Sequence, residues 1–344
     1  MVGHPCYCLY IDPSAIENLA KAGVGNAQVT ANQDKLLRRK RNAKEVPTEA
    51  LAGTSTAVAG PRNVYDCGHQ WVQRVEPIVR DEGGPAHKDD AVNNVYDYAG
   101  QVRDFFRNNL NRNSYDNLGS DLHLNVHFGE NYNNAFWDGD ELTFGDGDGD
   151  FFVDLTGSLD VVAHEFGHGV TQFTANLDYY SQSGALNESF SDVFGSAITQ
   201  HVLGQDTGEA DWLVGNEIMG PELYGEALRS MKAPGTARDH PTLGRDRQPD
   251  HMDNYYAGPD DSQGVHINSG IPNKAFYLVS TTIGTDKALL IWYHALQNLW
   301  PTAFFNNAVA VIVESARILT KDGQVPFGST QTVRSAFKEV GLPR

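Results

Sequence analysis

The hydrophobic rhythm of the chain changes near its middle. His123-Leu124-Asn125-Val126-His127-Phe128 alternates at each step, as a half-buried strand does, and Glu141-Leu142-Thr143-Phe144 repeats that pattern. Upstream, residues 90–109 place Val92, Val95, Tyr96, Val102, Phe105 and Phe106 on one stripe of a helix. After Gly157 the spacing is helical almost throughout, and residues 159–176, 187–202, 273–282, 286–298, 303–319 and 331–339 predict helices. No internal repeat is present. The expected fold is α+β and two-lobed. A β-rich α+β lobe spans residues 61–178, an all-α lobe spans residues 179–344, and a cleft lies between them.

Residues 1–60 differ from this body and predict a separate leader. Ile11 to Gly23 suits a short amphipathic helix, with Ile16, Leu19 and Ala20 on one side. The basic run Lys35-Leu36-Leu37-Arg38-Arg39-Lys40-Arg41 and the small, polar stretch Ala50 to Gly60 read as an exposed, nickable linker. A basic run of this kind is also a weak nuclear-localisation pattern.

The 344 residues suffice for two lobes with a sizeable core, at an ordinary 40% hydrophobic and 20% charged content. No apolar run reaches the length of a membrane span. The first residues lack a basic segment followed by an apolar one, so no secretory signal is recognisable, and a cytoplasmic location or a non-classical exit is expected. Of the net charge of −18, residues 1–62 hold +3 and the remainder −21. An acidic body of that size repels a phosphate backbone, which excludes nucleic acid as the expected partner. Three cysteines, Cys6, Cys8 and Cys67, form no disulfide framework. The Cys6-x-Cys8 step is too short for a comfortable bridge, so free thiols are expected, with a leader thiolate reaching a metal as the sharper alternative.

The chemistry concentrates in Asp160-Val161-Val162-Ala163-His164-Glu165-Phe166-Gly167-His168. Residues four apart share a helix face, so His164 and His168 can hold one ion, with Glu165 beside it to take a proton from bound water. Gly167 and Gly169 each cost a helix about 1 kcal/mol, which implies a close neighbour there. Catalytic zinc needs a third protein ligand, and Glu188, twenty positions after His168, supplies it. Asp192 shares a helix face with Glu188 and can accept the second ring N–H of a ligand histidine.

These motifs, with Asn133-Asn134-Ala135-Phe136-Trp137, Leu228-Arg229-Ser230-Met231 and Gly264-Val265-His266-Ile267-Asn268-Ser269-Gly270, resemble the thermolysin family of zinc metallopeptidases from about Asn63 to the C-terminus. The leader is similar to the short propeptide of the protealysin-type subgroup, whose proline-rich motif Ile11 to Ile16 loosely matches. The resemblance implies a zinc-dependent neutral endopeptidase made as a proenzyme and cutting before bulky hydrophobic residues. It implies that Glu165 is the acid/base, that His266 and Tyr179 donate to the oxyanion, and that Asp261 orients His266. Asn134, the backbone of Ala135, and Arg229 correspond to groups that hold the substrate main chain. Phe152, Leu155, Val161 and Leu228 align with the apolar pocket.

The family's double calcium site is incomplete. Asp160 and Asp211 stand at ligand positions, but Thr199, Leu213 and Asn216 replace glutamates, so at most one calcium is expected. Gly145-Asp146-Gly147-Asp148-Gly149-Asp150 lacks the glutamate an EF-hand needs at Gly157 and reads as a tight acidic turn. The expected partners are peptide substrates and the chain's own propeptide, and the expected state is a monomer. Two other readings remain: an exopeptidase, and a zinc-bound but silent peptide binder with the leader as a permanent plug.

Overall fold

The structure is a computed structural model that describes residues 8–41 and 59–342. Cys6 and most of the small, polar stretch lie outside the described residues. The leader begins with β1 (Cys8–Leu9) and continues into α1 (Pro13–Lys21) and α2 (Ala27–Arg41). Asp12 caps α1 by accepting from Ala15 N, and a proline with preset φ follows it. Helix α2 corrects the expectation of an exposed linker over the basic run. Its inward side carries Thr30, Ala31, Asp34 and Leu37, all buried and spaced at helical intervals, although two of the four are polar.

The N-terminal lobe adds β2 (Arg62–Asp66), β3 (Ile78–Arg80), α3 (Asp90–Leu110), β4 (Leu122–Val126), β5 (Ala135–Trp137) and β6 (Leu142–Phe144). Together with the leader strand they form one six-stranded sheet in the order β1-β5-β6-β4-β2-β3. Strands β2, β4 and β6 run parallel, whereas β5 is antiparallel to β6. The free edge of β5 is covered by the leader, with Cys8 opposite Trp137 and Leu9 opposite Phe136.

Two buried helices follow, α4 (Leu159–Gln172) and α5 (Ser181–Leu203). Helix α5 starts six residues before its expected 187, so Glu188 stands two turns inside it. Glycines let the pair approach closely. A Cβ on Gly167 would sit 3.0 Å from the Phe194 ring, and one on Gly195 would sit 3.0 Å from the Asp160 carbonyl oxygen. From α3, Phe106 stacks on Phe166 at 5.3 Å and meets Phe194 at 5.1 Å, locking the two helices onto the first lobe.

The C-terminal lobe is mainly helical rather than wholly so. It carries the ribbons β7 (Leu213–Val214) with β8 (Arg229–Ser230), and β9 (Asp239–His240) with β10 (Gly244–Arg245). Helices α6 (Asp260–Asn268), α7 (Gly270–Ile283), α8 (Thr285–Leu296), α9 (Phe305–Lys321) and α10 (Ser329–Glu339) complete it. No helix among the described residues is long and apolar enough to cross a membrane.

The cysteines depart from expectation. Cys67 is free and buried, but Cys8 is disulfide-bonded, to a partner outside the described residues. A sulfur already in a disulfide offers no thiolate, which removes Cys8 as a metal-seeking group.

Because α4 and α5 touch through glycines, Gly195→Val is expected to destabilise the protein by about 1–3 kcal/mol through overpacking. Thermal unfolding of zinc-loaded protein should show the fall in Tm; an unchanged Tm would mean the helices have room to part.

Candidate active site

Helical spacing brings His164 and His168 to one face of α4, and α5 lays Glu188 against them. All three are fully buried. The two Nε2 atoms lie 3.0 Å apart, and the Glu188 carboxylate oxygens lie 3.5 Å from His164 Nε2 and 3.6 Å from His168 Nε2. The outer nitrogens are both engaged elsewhere. His164 Nδ1 is 2.9 Å from Asp192, and His168 Nδ1 lies 2.8 Å from the Asn187 amide oxygen and 3.0 Å from Ser191 Oγ. Donating outward fixes each tautomer and leaves two imidazole lone pairs and a carboxylate converging on one point. Acceptors gathered without a donor between them fit a cation, and two nitrogens with one oxygen fit zinc with a position left open for water. These groups form a zinc site.

Glu165 stands beside this trio. It is fully buried, and neither carboxylate oxygen finds a hydrogen-bond donor among the described residues. Burial outweighs the opposing pull of His164 and, with a smaller push from Glu188, raises its carboxyl to about 8. A group poised there can both take and return a proton near neutrality.

Asp192 ties the metal helices to the rest of the cleft. Besides His164 it accepts from Arg229 Nε at 2.9 Å, Arg229 Nη2 at 2.8 Å and Asn273 Nδ2 at 2.8 Å. Burial opposes its charge, but the Arg229 guanidinium and His164 outweigh that and hold its carboxyl below the usual range. Opposite, His266 Nδ1 lies 2.7 Å from Asp261 Oδ1, and His266 Nε2 lies 3.2 Å from the Tyr179 hydroxyl, which also bonds Glu188. Burial disfavours the His266 cation, yet Asp261 and Glu188 lift the ring to about 9. Tyr179, Asp261 and His266 therefore meet at the zinc site.

The leader runs through this cleft. Leu9 C=O accepts from His266 Nε2 at 2.7 Å. Tyr10 N–H donates to Ala135 O at 3.0 Å, and Tyr10 C=O accepts from Arg229 Nη1 at 3.0 Å. Ile11 N–H donates to Asn134 Oδ1 at 2.9 Å, and Asn134 Nδ2 returns toward Ile11 O at 3.4 Å. The Tyr10 ring meets His164 edge-on at 4.9 Å and shares one buried apolar cluster with Phe152, Leu155, Val161 and Leu228. A cavity of about 540 Å³ opens beside it, lined in part by Leu9, Tyr179, Asp261 and His266.

Farther along the leader, Asp12 pairs with Arg238, both held in the interior, and Asp34 accepts from Tyr132 Oη at 2.7 Å and Asn134 Nδ2 at 3.0 Å. Sequence reasoning missed Asn187, Ser191, Asn273, Arg238 and Asp34. Each is a polar residue with no distinguishing spacing, and only the fold shows what it touches. Arg229 meets a peptide carbonyl and a buried carboxylate at once.

Comparison with known proteins agrees with this geometry. Residues 39–172 match the catalytic domain of thermolysin metallopeptidases, and residues 175–342 match their alpha-helical domain. The chain is 44% identical over 297 residues to an extracellular metalloprotease of Pectobacterium carotovorum, covering 84% of each chain. It is 38% identical to Protease PrtS of a Photorhabdus strain, over 97% of this chain and 90% of that one. Among solved structures it is similar to the precursor of protealysin from Serratia proteamaculans, with a TM-score of 0.85, 38% identity, and 97% and 99% of the two chains covered.

Asp192→Asn weakens the orienting bond to His164, and zinc affinity is expected to fall about 10–100-fold. Competition with a calibrated chelator measures it; unaltered affinity would show that His164 needs no outer partner.

Proposed function

The chain belongs to the thermolysin family and is a neutral zinc endopeptidase, and from that premise we propose that its leader lies in the cleft as a bound substrate would. The observation that carries this reading is the seat of Leu9-Tyr10-Ile11, whose amides and carbonyls pair with β5 and Arg229 in strand fashion. The same contacts would hold a substrate main chain, with its reacting carbonyl where Leu9 C=O meets His266. Zinc held by His164, His168 and Glu188 would supply Lewis-acid polarisation and acidify the attacking water. Glu165 takes the proton of that water and delivers it to the departing amine. His266, kept charged by Asp261, and Tyr179 donate to the oxyanion as it forms. Asp192 positions both His164 and Arg229.

Tyr10 fills the place of the residue that follows the cut. Its burial beside Leu228 supports cleavage before bulky hydrophobic residues. Cys8, which precedes Leu9, pairs opposite Trp137, and preceding substrate residues would continue along β5 in the same way. Residues 1–60 act as a propeptide, 61–178 and 179–344 as the two lobes, and the enzyme works on peptides as a monomer without nucleic acid. At most one calcium is bound. Supporting that limit, Asp160 is occupied within the protein, accepting from Gly215 N at 2.7 Å and Ser158 Oγ at 2.5 Å.

The test uses a specific protease site inserted within residues 42–58 to free the leader. Wild type should then hydrolyse peptides before bulky apolar residues, and Glu165→Ala should lose about 10²- to 10⁴-fold in kcat with zinc retained. A zinc-loaded, leader-free wild type without activity would leave peptide binding as the function.

Leader docking should also depend on pH through Asp34, which burial pushes up to about 6. A carboxyl whose pKa is raised on docking stabilises the docked form below its free value near 3.9, and that contribution is lost as pH climbs toward 6. Asp12 works in the opposite sense. Burial opposes its charge, but Arg238 holds it far below its ordinary value, so its contribution persists above about 3.9 and fails only in stronger acid. In cleaved Glu165→Ala protein, leader retention should therefore weaken from pH 4 to 6, and Asp34→Asn should flatten that window. Equal pH dependence in both proteins would rule Asp34 out.

A further inference from the structure

A second convergence of metal-ligating groups lies outside the cleft, at the carboxyl ends of three neighbouring parallel strands. His69 follows β2 by three residues, His127 follows β4 by one, and Asp146 follows β6 by two. The backbone joins the first two, His69 N–H donating to His127 O at 2.9 Å. His69 Nδ1 stands 3.2 Å from one Asp146 oxygen, and His127 Nδ1 stands 2.8 Å from the other. These separations fall close to those among His164, His168 and Glu188, which lie 3.0–3.6 Å apart. Asp146 comes from the acidic turn Gly145 to Asp150, whose next carboxylate, Asp148, is occupied in capping the turn by accepting from Asp150, Phe151 and Phe152 amides.

We propose that His69, His127 and Asp146 form a second divalent transition-metal site, distinct from the catalytic zinc. Two imidazole nitrogens and one carboxylate oxygen suit zinc, cobalt or nickel; calcium takes oxygen ligands and is excluded by the donor set. Asp89 completes the arrangement from behind, lying 3.1 Å from His127 Nε2. It accepts the Nε2 proton and leaves Nδ1 directed at the ion, the same role Asp192 has for His164. A bound ion takes the place of the Nδ1 proton, which is released to solvent as the metal enters.

The His69 side chain is 58% exposed, so the remaining coordination positions face solvent and are filled by water. That makes the site a structural clip with exchangeable metal. It would fasten the β2–β3 connection to the exits of β4 and β6, adding to the backbone bonds from His69 N–H to His127 O and from Phe128 N–H to Phe144 O.

The test uses full-length protein whose catalytic centre is already filled with zinc, dialysed against excess cobalt(II) and then freed of unbound metal. Wild type should carry one additional equivalent, show a visible cobalt absorption, and gain in Tm with added cobalt. His69→Ala should show none of the three while its leader-free form keeps normal peptide hydrolysis, which certifies its fold. Wild type without the second equivalent would overturn the proposal. So would a second equivalent retained in His69→Ala, because that ion would be bound elsewhere.

Discussion

The Asp192 carboxylate is buried without access to water and is shared by three groups that come from different parts of the chain. It orients the His164 ring from α4, pairs with the Arg229 guanidinium from β8, and accepts from Asn273 on α7. Taking such a charge out of water costs several kcal/mol unless its partners are all in place, and removing one partner of a buried pair costs about 3–5 kcal/mol. The metal centre, the group that grips a peptide carbonyl and the helical lobe are therefore satisfied together or not at all. The glycine contacts between α4 and α5 serve the same constraint, since they bring Asp192 within reach of His164.

How far this was legible beforehand depended on whether chemistry left a spacing in the chain. His164 and His168 sit one helical turn apart, and Glu188 and Asp192 repeat that interval, so their shared face could be read directly. His266, Asp261, Tyr179 and Arg229 had no such pattern and came from family resemblance; the fold brings them to the same cleft. Helix α2 escaped notice because its inward stripe is partly polar, with Thr30 and Asp34 satisfied by hydrogen bonds that no hydropathy pattern reports. Strand β1 was invisible for another reason. Two residues carry no periodicity, and their conformation is set by the open edge of β5. Cys8 departs from expectation because the spacing of cysteines along the chain does not by itself decide whether a bridge forms.

The leader is held by more than its strand. Tyr10 packs on His164, Asp12 meets Arg238, and Asp34 on α2 reaches Asn134, a residue that also pairs with Ile11. One side chain of the first lobe thus touches the leader at two places that are 23 residues apart in sequence. The docked helices set the register in which the strand enters, which is why Leu9 C=O, and not a neighbouring carbonyl, faces His266.

Because the leader is joined to the body by the chain between Arg41 and Ala59, its strand competes for the cleft as a tethered group. A covalent tether confers an effective concentration set by its own length, whatever the protein's concentration. Severing the link alters no contact in the cleft; it changes only what the leader's occupancy depends upon. Before the cut, latency is a property of each molecule. After it, latency becomes a property of the solution, kept where the protein is crowded and lost where it is dilute.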